Sequence, residues 1–227
     1  MNRILLLDVE TTSLSPADGD CIELAVVLFS LDHMSVVKAY STLLKTGKDN
    51  PIERINHIPG GALDSGTDPT QAWASANNWA HQCDYVVGHN CEFDKQWVPA
   101  SCATLQSKTW IDTCNGCTWP KQSKPVENLV SLCLDHGIGI VDPHRALNDC
   151  MLLAMLLRRV HELGHDVRNI LAQDLRPKAV FEALVPYERK DEAYAAGFHW
   201  DRATKQWTRK MAIEDTSALP FSVRRVG

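Results

Sequence analysis

The stretch Ile4-Leu-Leu-Leu-Asp8-Val-Glu10-Thr-Thr-Ser13 decides the fold. A short apolar run that ends at two acidic residues and a Thr-Thr-Ser turn predicts a buried strand over residues 5–9. Side chains alternate between the two faces of a strand, so Asp8 and Glu10 would project from the same face. They would lie at the carboxyl end of the strand, where open α/β sheets gather their ligands.

The segments that follow predict the rest of an α/β sheet. Strands are expected over 22–29 and 36–44, and the turn at Asp32-His-Met-Ser35 between them predicts an antiparallel hairpin. Shorter strands at 85–88 and 109–113 alternate with helices, which are expected over 68–82, 92–97, 127–136 and 143–164. Three strands followed by alternating helices and strands predict a sheet with helices packed on it.

The composition limits the class of protein. The chain has 227 residues, 44% of them hydrophobic and 22% charged, which are ordinary globular values and exclude a disordered or collagen-like chain. No apolar run approaches the roughly 18 residues that a membrane span needs, and the run after Arg3 is too short for the core of a signal peptide. We therefore expect a cytoplasmic protein without a membrane partner.

The sequence predicts one large domain with a small appendage. We expect a main domain over 1–165, a linker or docking segment over 166–186, and a small C-terminal α+β hairpin module over 187–227. In the module, Trp200 and Trp207 would form a hairpin core, or would bind a single nucleic-acid strand together with the nearby basic residues Arg202, Lys205, Arg209 and Lys210. The first interpretation is favoured, because so small a module needs its aromatic side chains for its own core.

Eight cysteines are present, and without a secretion signal they predict reduced thiols. Cys114 and Cys117 have the spacing of zinc ligands. No second pair follows them, so buried free thiols are the favoured interpretation and zinc the alternative.

Two more acids join Asp8 and Glu10 as candidate ligands. Asp94 follows the strand predicted at 85–88, and Asp149 lies near the start of the long helix. Taken singly, each would be a solvated turn residue or a helix-dipole partner. Four acids at one sheet edge would repel one another unless cations lay between them, and carboxylate oxygens suit Mg²⁺ or Mn²⁺. Two such ions suit hydrolysis of a phosphodiester, for which the nearby His144 would be the general base.

Three motifs with matching order and spacing carry a family resemblance. They are Asp8-Val-Glu10-Thr-Thr-Ser-Leu14, Gly88-His-Asn90-Cys-Glu-Phe-Asp94 and His144-Arg-Ala-Leu-Asn-Asp149. Residues 3–163 thereby resemble the DnaQ-like (DEDD) 3′–5′ exonucleases in their histidine form. The third motif most resembles the exonuclease X and proofreading-subunit branches. Ser13 departs from the pattern, because the family commonly has Gly there.

The resemblance implies an RNase H-like fold with a mixed sheet of about five strands flanked by helices. It implies two Mg²⁺ or Mn²⁺ ions held by Asp8, Glu10, Asp94 and Asp149, with His144 as general base. It further implies a pocket for the 3′-terminal nucleotide lined by Thr11, Thr12 and Leu14, with Asn90 supporting the second motif or contacting substrate.

The function expected from the resemblance is hydrolysis of single-stranded or frayed DNA from its 3′ end, with release of 5′-mononucleotides, in DNA repair or end processing. An RNA 3′–5′ exonuclease, similar to oligoribonuclease or RNase T, is the alternative. A non-catalytic subunit that binds a partner is a third, less favoured reading. A homodimer, or association with a polymerase or repair complex, is left open.

Overall fold

The computed structural model describes residues 1–226. Its larger sheet contains five strands: β1 (Arg3–Thr11), β2 (Cys21–Ser30), β3 (Ser35–Leu43), β4 (Tyr85–Gly88) and β5 (Trp110–Asp112). Their order is β3-β2-β1-β4-β5, with β1, β2 and β3 antiparallel and with β4 and β5 parallel to β1. The predicted mixed five-stranded sheet is confirmed.

Helices flank this sheet. They are α1 (Glu53–Asn56), α2 (Gly60–Leu63), α3 (Pro69–Ala80), α4 (Cys91–Lys95), α5 (Ala103–Ser107), α6 (Leu129–Asp135), α7 (Ala146–Glu162) and α8 (Val167–Ala172). Local signals set several ends. The Asp68 carboxylate accepts a hydrogen bond from the Gln71 N–H over 3.2 Å and caps α3, while Gly137, at φ 74°, follows the end of α6.

Alternation along β1 divides the core into two layers. Ile4 and Leu6 belong to the layer that includes α7, whereas Leu5 and Leu7 belong to the opposite layer, with α3. Asp8 and Glu10 continue the first of these series, because side chains two apart share a face. The sheet therefore presents both acids to the side on which α7 packs.

The long helix α7 begins later than predicted. The sequence indicates a start at Pro143, but the first helical residue is Ala146. Asp142 and His144 both have positive φ angles, 44° and 65°, so this segment is an irregular turn rather than a first helical turn. His144 consequently precedes the helix, and Asp149 lies within its first turn.

The C-terminal part forms a second sheet with four strands. They are β6 (Lys178–Ala183), β7 (His199–Asp201), β8 (Gln206–Ala212) and β9 (Val223–Val226), in the order β7-β8-β6-β9. The helix α9 (Lys190–Ala195) supplies Ala193 to a core that contains Phe181, Phe198 and Met211. The hairpin of β7 and β8 occurs as predicted, but β6 and β9 were not predicted. The segment 166–186, expected to be a linker or docking segment, contains α8, which packs on the larger core, and β6.

The aromatic residues of the C-terminal unit belong mainly to its own core. Trp200 and Trp207 are paired across β7 and β8, with ring centroids 5.7 Å apart, and Trp207 packs against the buried core. Arg209 shares the face of Trp207 and donates to the Ala196 carbonyl over 2.6 Å, whereas Lys210 projects from the opposite face. The four basic residues therefore do not form one surface with the tryptophans. Trp200 remains 48% exposed.

A buried carboxylate joins the two units. Asp174, in the 3₁₀ turn Gln173–Leu175, accepts a hydrogen bond from the Asp112 N–H on β5 over 2.8 Å and pairs with Lys178 at the start of β6. Gly116 lies against this carboxylate so closely that a β-carbon there would overlap it. The Asp174 side chain thus occupies space that only glycine leaves free.

All eight cysteines are free thiols. Cys114 and Cys117 are buried, and neither belongs to a cluster of three or more ligating side chains within the described residues 1–226. Within the same residues, no helix has the length and apolar character needed to cross a membrane.

Candidate active site

Three carboxylates meet at the carboxyl end of β1. Asp8, Glu10 and Asp149 each offer an oxygen, and these three oxygens lie within 4.8 Å of one another. The alternation of β1 supplies the first two, and the first turn of α7 supplies the third. Among the described residues, these three form the one cluster with the composition and spacing of a metal site.

Asp94 approaches the same edge from α4 but is held differently. Its side chain is 3% exposed, and its Oδ1 accepts a hydrogen bond from the Val9 N–H over 3.1 Å. Val9 lies between Asp8 and Glu10 on β1. The bond therefore fixes Asp94 beside them, although its carboxylate lies outside the three-residue cluster.

The carboxylates raise one another's pKa values. Burial is the largest cause at each site, followed at Asp8 by the charges of Asp94, Asp149 and Glu10, and the pKa of Asp8 lies well above its ordinary range. Burial and the charge of Asp149 raise the pKa of Glu10 to about 8, and burial raises that of Asp94 to about 8. Burial also raises the pKa of Asp149, which His144 partly offsets. Without a cation, Glu10 and Asp94 would be largely protonated at neutral pH.

Glu23 is a part of this site that sequence reasoning missed. It lies directly opposite Glu10 in the pairing of β1 and β2. Its two carboxylate oxygens each accept a hydrogen bond from the Arg145 guanidinium over 3.0 Å, and Oε2 also accepts one from the Ala146 N–H over 3.0 Å. Glu23 thus anchors the start of α7, and its own charge is neutralised by Arg145.

His144 lines a cavity together with two of the carboxylates, Asp8 and Asp149. The cavity has a volume of about 550 Å³, and its lining includes Asp8, His89, His144 and Asp149. The His144 side chain is exposed. Its turn is held at one end by Arg145 and at the other by Asp142, whose carboxylate accepts a hydrogen bond from His57 Nδ1 over 3.1 Å. The imidazole is therefore brought to the carboxylates while remaining accessible to water.

The loop after β1 presents one large hydrophobic side chain, Leu14, to solvent. Thr11 and Thr12 are buried, and their hydroxyls are used inside the loop: Thr11 donates to the Ser13 carbonyl over 2.7 Å, and Thr12 accepts from the Asp20 N–H over 2.9 Å. Leu14 is 84% exposed. Ser13 does not have a positive φ, so a serine in place of the family's glycine introduces no backbone strain there.

Asn90 has a structural position in the second motif. It precedes α4 in the left-handed conformation, at φ 73°, and its N–H donates to Asp112 over 3.1 Å. Its side chain is exposed, and its carbonyl oxygen accepts a hydrogen bond from Asn115 Nδ2 over 3.3 Å.

The donors present fit a hard divalent cation. The cluster is made of carboxylate oxygens alone, which are the ligands that Mg²⁺ and Mn²⁺ prefer. Arg145 is the basic residue whose charge lowers the pKa of Glu10, but it is already ion-paired with Glu23. The raised pKa values mark a concentration of negative charge that a cation would relieve.

A family comparison agrees with this geometry. Residues 5–157 match the model of a family described as Exonuclease (RNase T), which is more than half of the chain. The chain belongs to this exonuclease family. The resemblance to the DnaQ-like exonucleases is thereby confirmed. Residues 179–226, which contain most of the second sheet, match a model described as a domain of unknown function.

Solved exonuclease structures share the fold. Exonuclease X in complex with 5′-overhanging duplex DNA is 20% identical, with a TM-score of 0.55 over 75% of this chain and 99% of that one. Exonuclease I of E. coli with single-stranded DNA is 14% identical, with a TM-score of 0.63 over 86% of this chain. The match spans about half (50%) of exonuclease I. A 3′-exonuclease that recognises the histone mRNA stem-loop is 14% identical, with a TM-score of 0.54 over 72% of this chain and 83% of that one. No curated protein matches the chain in sequence.

Proposed function

We propose that this exonuclease is a divalent-metal-dependent 3′–5′ enzyme that hydrolyses single-stranded or frayed DNA and releases 5′-mononucleotides. The observation that carries the proposal is the approach of Asp8, Glu10 and Asp149 to within 4.8 Å at the edge where His144 also lies. The exonuclease X and exonuclease I complexes contain DNA, which supports DNA as the substrate.

In this proposal Asp8, Glu10 and Asp149 hold two Mg²⁺ or Mn²⁺ ions, and Asp94 completes the ligand set. The bound ions would increase the acidity of a water and stabilise charge that develops on phosphate oxygens. His144 accepts the proton of the attacking water, a role that suits an imidazole open to solvent beside the carboxylates.

The loop after β1 positions the end of the strand. Leu14 is the exposed large apolar side chain of the first motif, and in this proposal it packs against the face of the terminal base. Gln96, just after α4, donates a hydrogen bond to the Leu14 carbonyl over 3.3 Å, so this loop is tied to the helix that carries Asp94. Thr11 and Thr12 would shape the floor of the pocket, and Asn90 would lie at its side.

The first test is a product ladder from 5′-labelled single-stranded DNA, blunt duplex DNA and single-stranded RNA of equal length, each with Mg²⁺, Mn²⁺ or EDTA. We expect the protein to shorten the DNA single strand from its 3′ end when Mg²⁺ or Mn²⁺ is present, and not in EDTA. Asp64→Asn, which removes an exposed acid outside the site, is the matched control and should behave as wild type.

Other outcomes would redirect the proposal. Faster shortening of the RNA would favour RNA as the substrate, an alternative supported by the 3′-exonuclease that recognises an mRNA stem-loop. A lack of shortening of every substrate would contradict catalysis and favour a scaffold that binds a partner.

A further inference from the structure

A cleft of about 730 Å³ separates the second sheet from the exonuclease domain. One wall is the face of the second sheet opposite its aromatic core, with Val180, Thr208 and Lys210. The other wall is formed by α4 and β5, with Lys95 and Trp110. We propose that this cleft binds the sugar–phosphate backbone of the substrate strand upstream of its 3′ end. The proposal rests on the proposed function for the identity of the strand.

The charge of the cleft is opposite in sign to that of the chain. The chain has a formal net charge of −5, yet the cleft is lined by more basic residues than acidic ones. The basic residues are Lys95, Lys108, Lys178, Arg209 and Lys210, with His199 beside them, and the acidic residues are Glu92, Asp112 and Asp174. A basic groove in an acidic protein is a local electrostatic site for a polyanion.

The acids of the cleft are already occupied. Asp112 accepts hydrogen bonds from the backbone N–H groups of Asn90, Cys114 and Asn115 over 2.8–3.1 Å. Asp174 accepts from the Asp112 N–H and pairs with Lys178, as described above.

Glu92 and Lys210 form an ion pair of 2.9 Å that joins the two walls, and both side chains are largely exposed. Such an exposed pair contributes little stability, so Lys210 is free to exchange its partner for a phosphate. Lys95 has no ion-pair partner within residues 1–226.

The cleft and the candidate active site lie on either side of α4 and the turn that precedes it. This short helix directs Asp94 inward, against Val9 of β1, and directs Glu92 and Lys95 into the cleft. At the end of the cleft, Asn115 donates to Asn90, and the residue before Asn90 is His89, which lines the cavity of the carboxylates. A strand whose 3′ end lies in that cavity would therefore reach the basic cleft by crossing the turn between β4 and α4.

The size and chemistry of the cleft favour a single strand. A volume of about 730 Å³ lies in the range of sites that enclose a small ligand, roughly 300–1,000 Å³, and so admits a short stretch of one strand rather than a duplex. Single strands are held by basic grooves that follow the backbone, with sequence-tolerant contacts to the bases. Lys95, Lys210 and the Thr208 hydroxyl supply the phosphate donors.

The test measures binding by the double variant Lys95→Gln/Lys210→Gln. Arg3→Gln/Arg158→Gln is the matched control, because it removes the same charge at the start of β1 and the far part of α7. Each is made with His144→Ala, which slows cleavage, and the anisotropy of a labelled 15-nucleotide oligothymidine is followed with Mg²⁺ at increasing salt. Thermal unfolding checks that both variants remain folded.

We expect the groove variant to bind about tenfold more weakly at low salt, and the slope of log affinity against log salt to fall by about 1.4, or 0.7 for each lost phosphate contact on a single strand. The control should differ less than about twofold in affinity, with an unchanged slope. Groove and control variants that behave alike would overturn the proposal. Equal displacement of the oligonucleotide by a poly-glutamate peptide of the same charge would also overturn it, because the cleft would then not select nucleic acid.

The experiments can contradict the proposed catalysis and the proposed binding cleft independently. If the wild-type protein shortens no 3′ end but the groove variant loses affinity as expected, the proposed catalysis is contradicted and the binding surface stands. If the wild-type protein shortens DNA and the groove variant binds like the control, the surface is contradicted and catalysis stands.

Discussion

Arg145 and Glu23 form a two-point ion pair in which Nε and Nη2 each donate to a carboxylate oxygen over 3.0 Å. The pair connects β2 to the residue that precedes α7. Glu10, directly opposite Glu23, has no such partner. Two glutamates on neighbouring strands thus have different roles: one holds the helix that carries Asp149, and the other is left available to a cation.

Glu23→Gln should therefore reduce both stability and activity. It removes the charge that pairs with Arg145 and weakens the anchor at the Ala146 N–H, at a cost of about 2 kcal/mol in the free energy of unfolding, since Arg145 is partly solvated. Urea denaturation and kcat on a DNA single strand would measure the two effects. Glu162→Gln, which breaks an exposed pair with Arg158, should cost less than about 1 kcal/mol and leave kcat unchanged.

Asp149→Asn should remove most activity and slightly stabilise the metal-free protein. The substitution takes away a ligand and also a negative charge that raises the pKa of both Asp8 and Glu10. Thermal unfolding in EDTA should therefore give a Tm at or above that of wild type, and the increase in Tm on adding Mn²⁺ should shrink. A variant that unfolds below wild type in EDTA would show that Asp149 has a structural role instead.

The stability of the metal-free protein should decrease as pH rises. The pKa values of Glu10 and Asp94 are raised to about 8, so between their ordinary values and about pH 8 the folded protein binds more protons than the unfolded chain. Stability falls with pH wherever the folded state holds the extra protons. Urea midpoints in EDTA should consequently drop from about pH 5.5 to about pH 8.5, and added Mg²⁺ should restore more stability at the higher pH.

A control separates this effect from general titration. Asp8→Asn/Glu10→Gln should flatten the pH dependence, whereas Asp64→Asn, which changes an exposed acid, should retain it. If the stability of Asp8→Asn/Glu10→Gln fell as steeply with pH as that of wild type, the titrating groups would lie outside the candidate site.

His144→Ala should slow the reaction by about 10²–10⁴-fold, as expected for loss of a general base. Metal binding should persist, because the three clustered oxygens come from Asp8, Glu10 and Asp149. The two readouts are single-turnover cleavage and the Mn²⁺-dependent increase in Tm. Cleavage at the wild-type rate would exclude His144 as the base. His33→Ala, at the exposed turn between β2 and β3, is the matched control and should alter neither.

The sequence predicted the larger sheet well because its signals are local. The β1 strand is a continuous apolar run with acids at its end, and the hairpin of β2 and β3 has a polar turn between two apolar segments. The second sheet carries weaker signals. In β6 the buried positions include Ala179 and Ala183 while Val180 faces outward, and β9 contains Arg224 and Arg225, so neither shows a clear alternation of apolar and polar residues.

The residues of the candidate site also differ in whether the sequence alone identifies them. Asp8, Glu10, Asp94 and Asp149 stand out in the sequence because each belongs to a motif. Glu23 does not, because its role depends on strand register, which places it opposite Glu10 and beneath Arg145. The sequence also places the start of α7 too early, because proline is common at the first helical position, whereas Asp142 and His144 have positive φ angles and the helix begins at Ala146.

The buried carboxylate of Asp174 gives the small sheet a part in shaping the second motif. From Lys178 at the start of β6, contacts run to Asp174 and then to the backbone of Asp112, whose side chain accepts a hydrogen bond from the Asn90 N–H. Asn90 begins the turn that leads to Asp94. Loss of the small sheet would thus remove the support behind the turn that positions Asp94, so the exonuclease domain depends on residues of the C-terminal unit for the shape of its second motif.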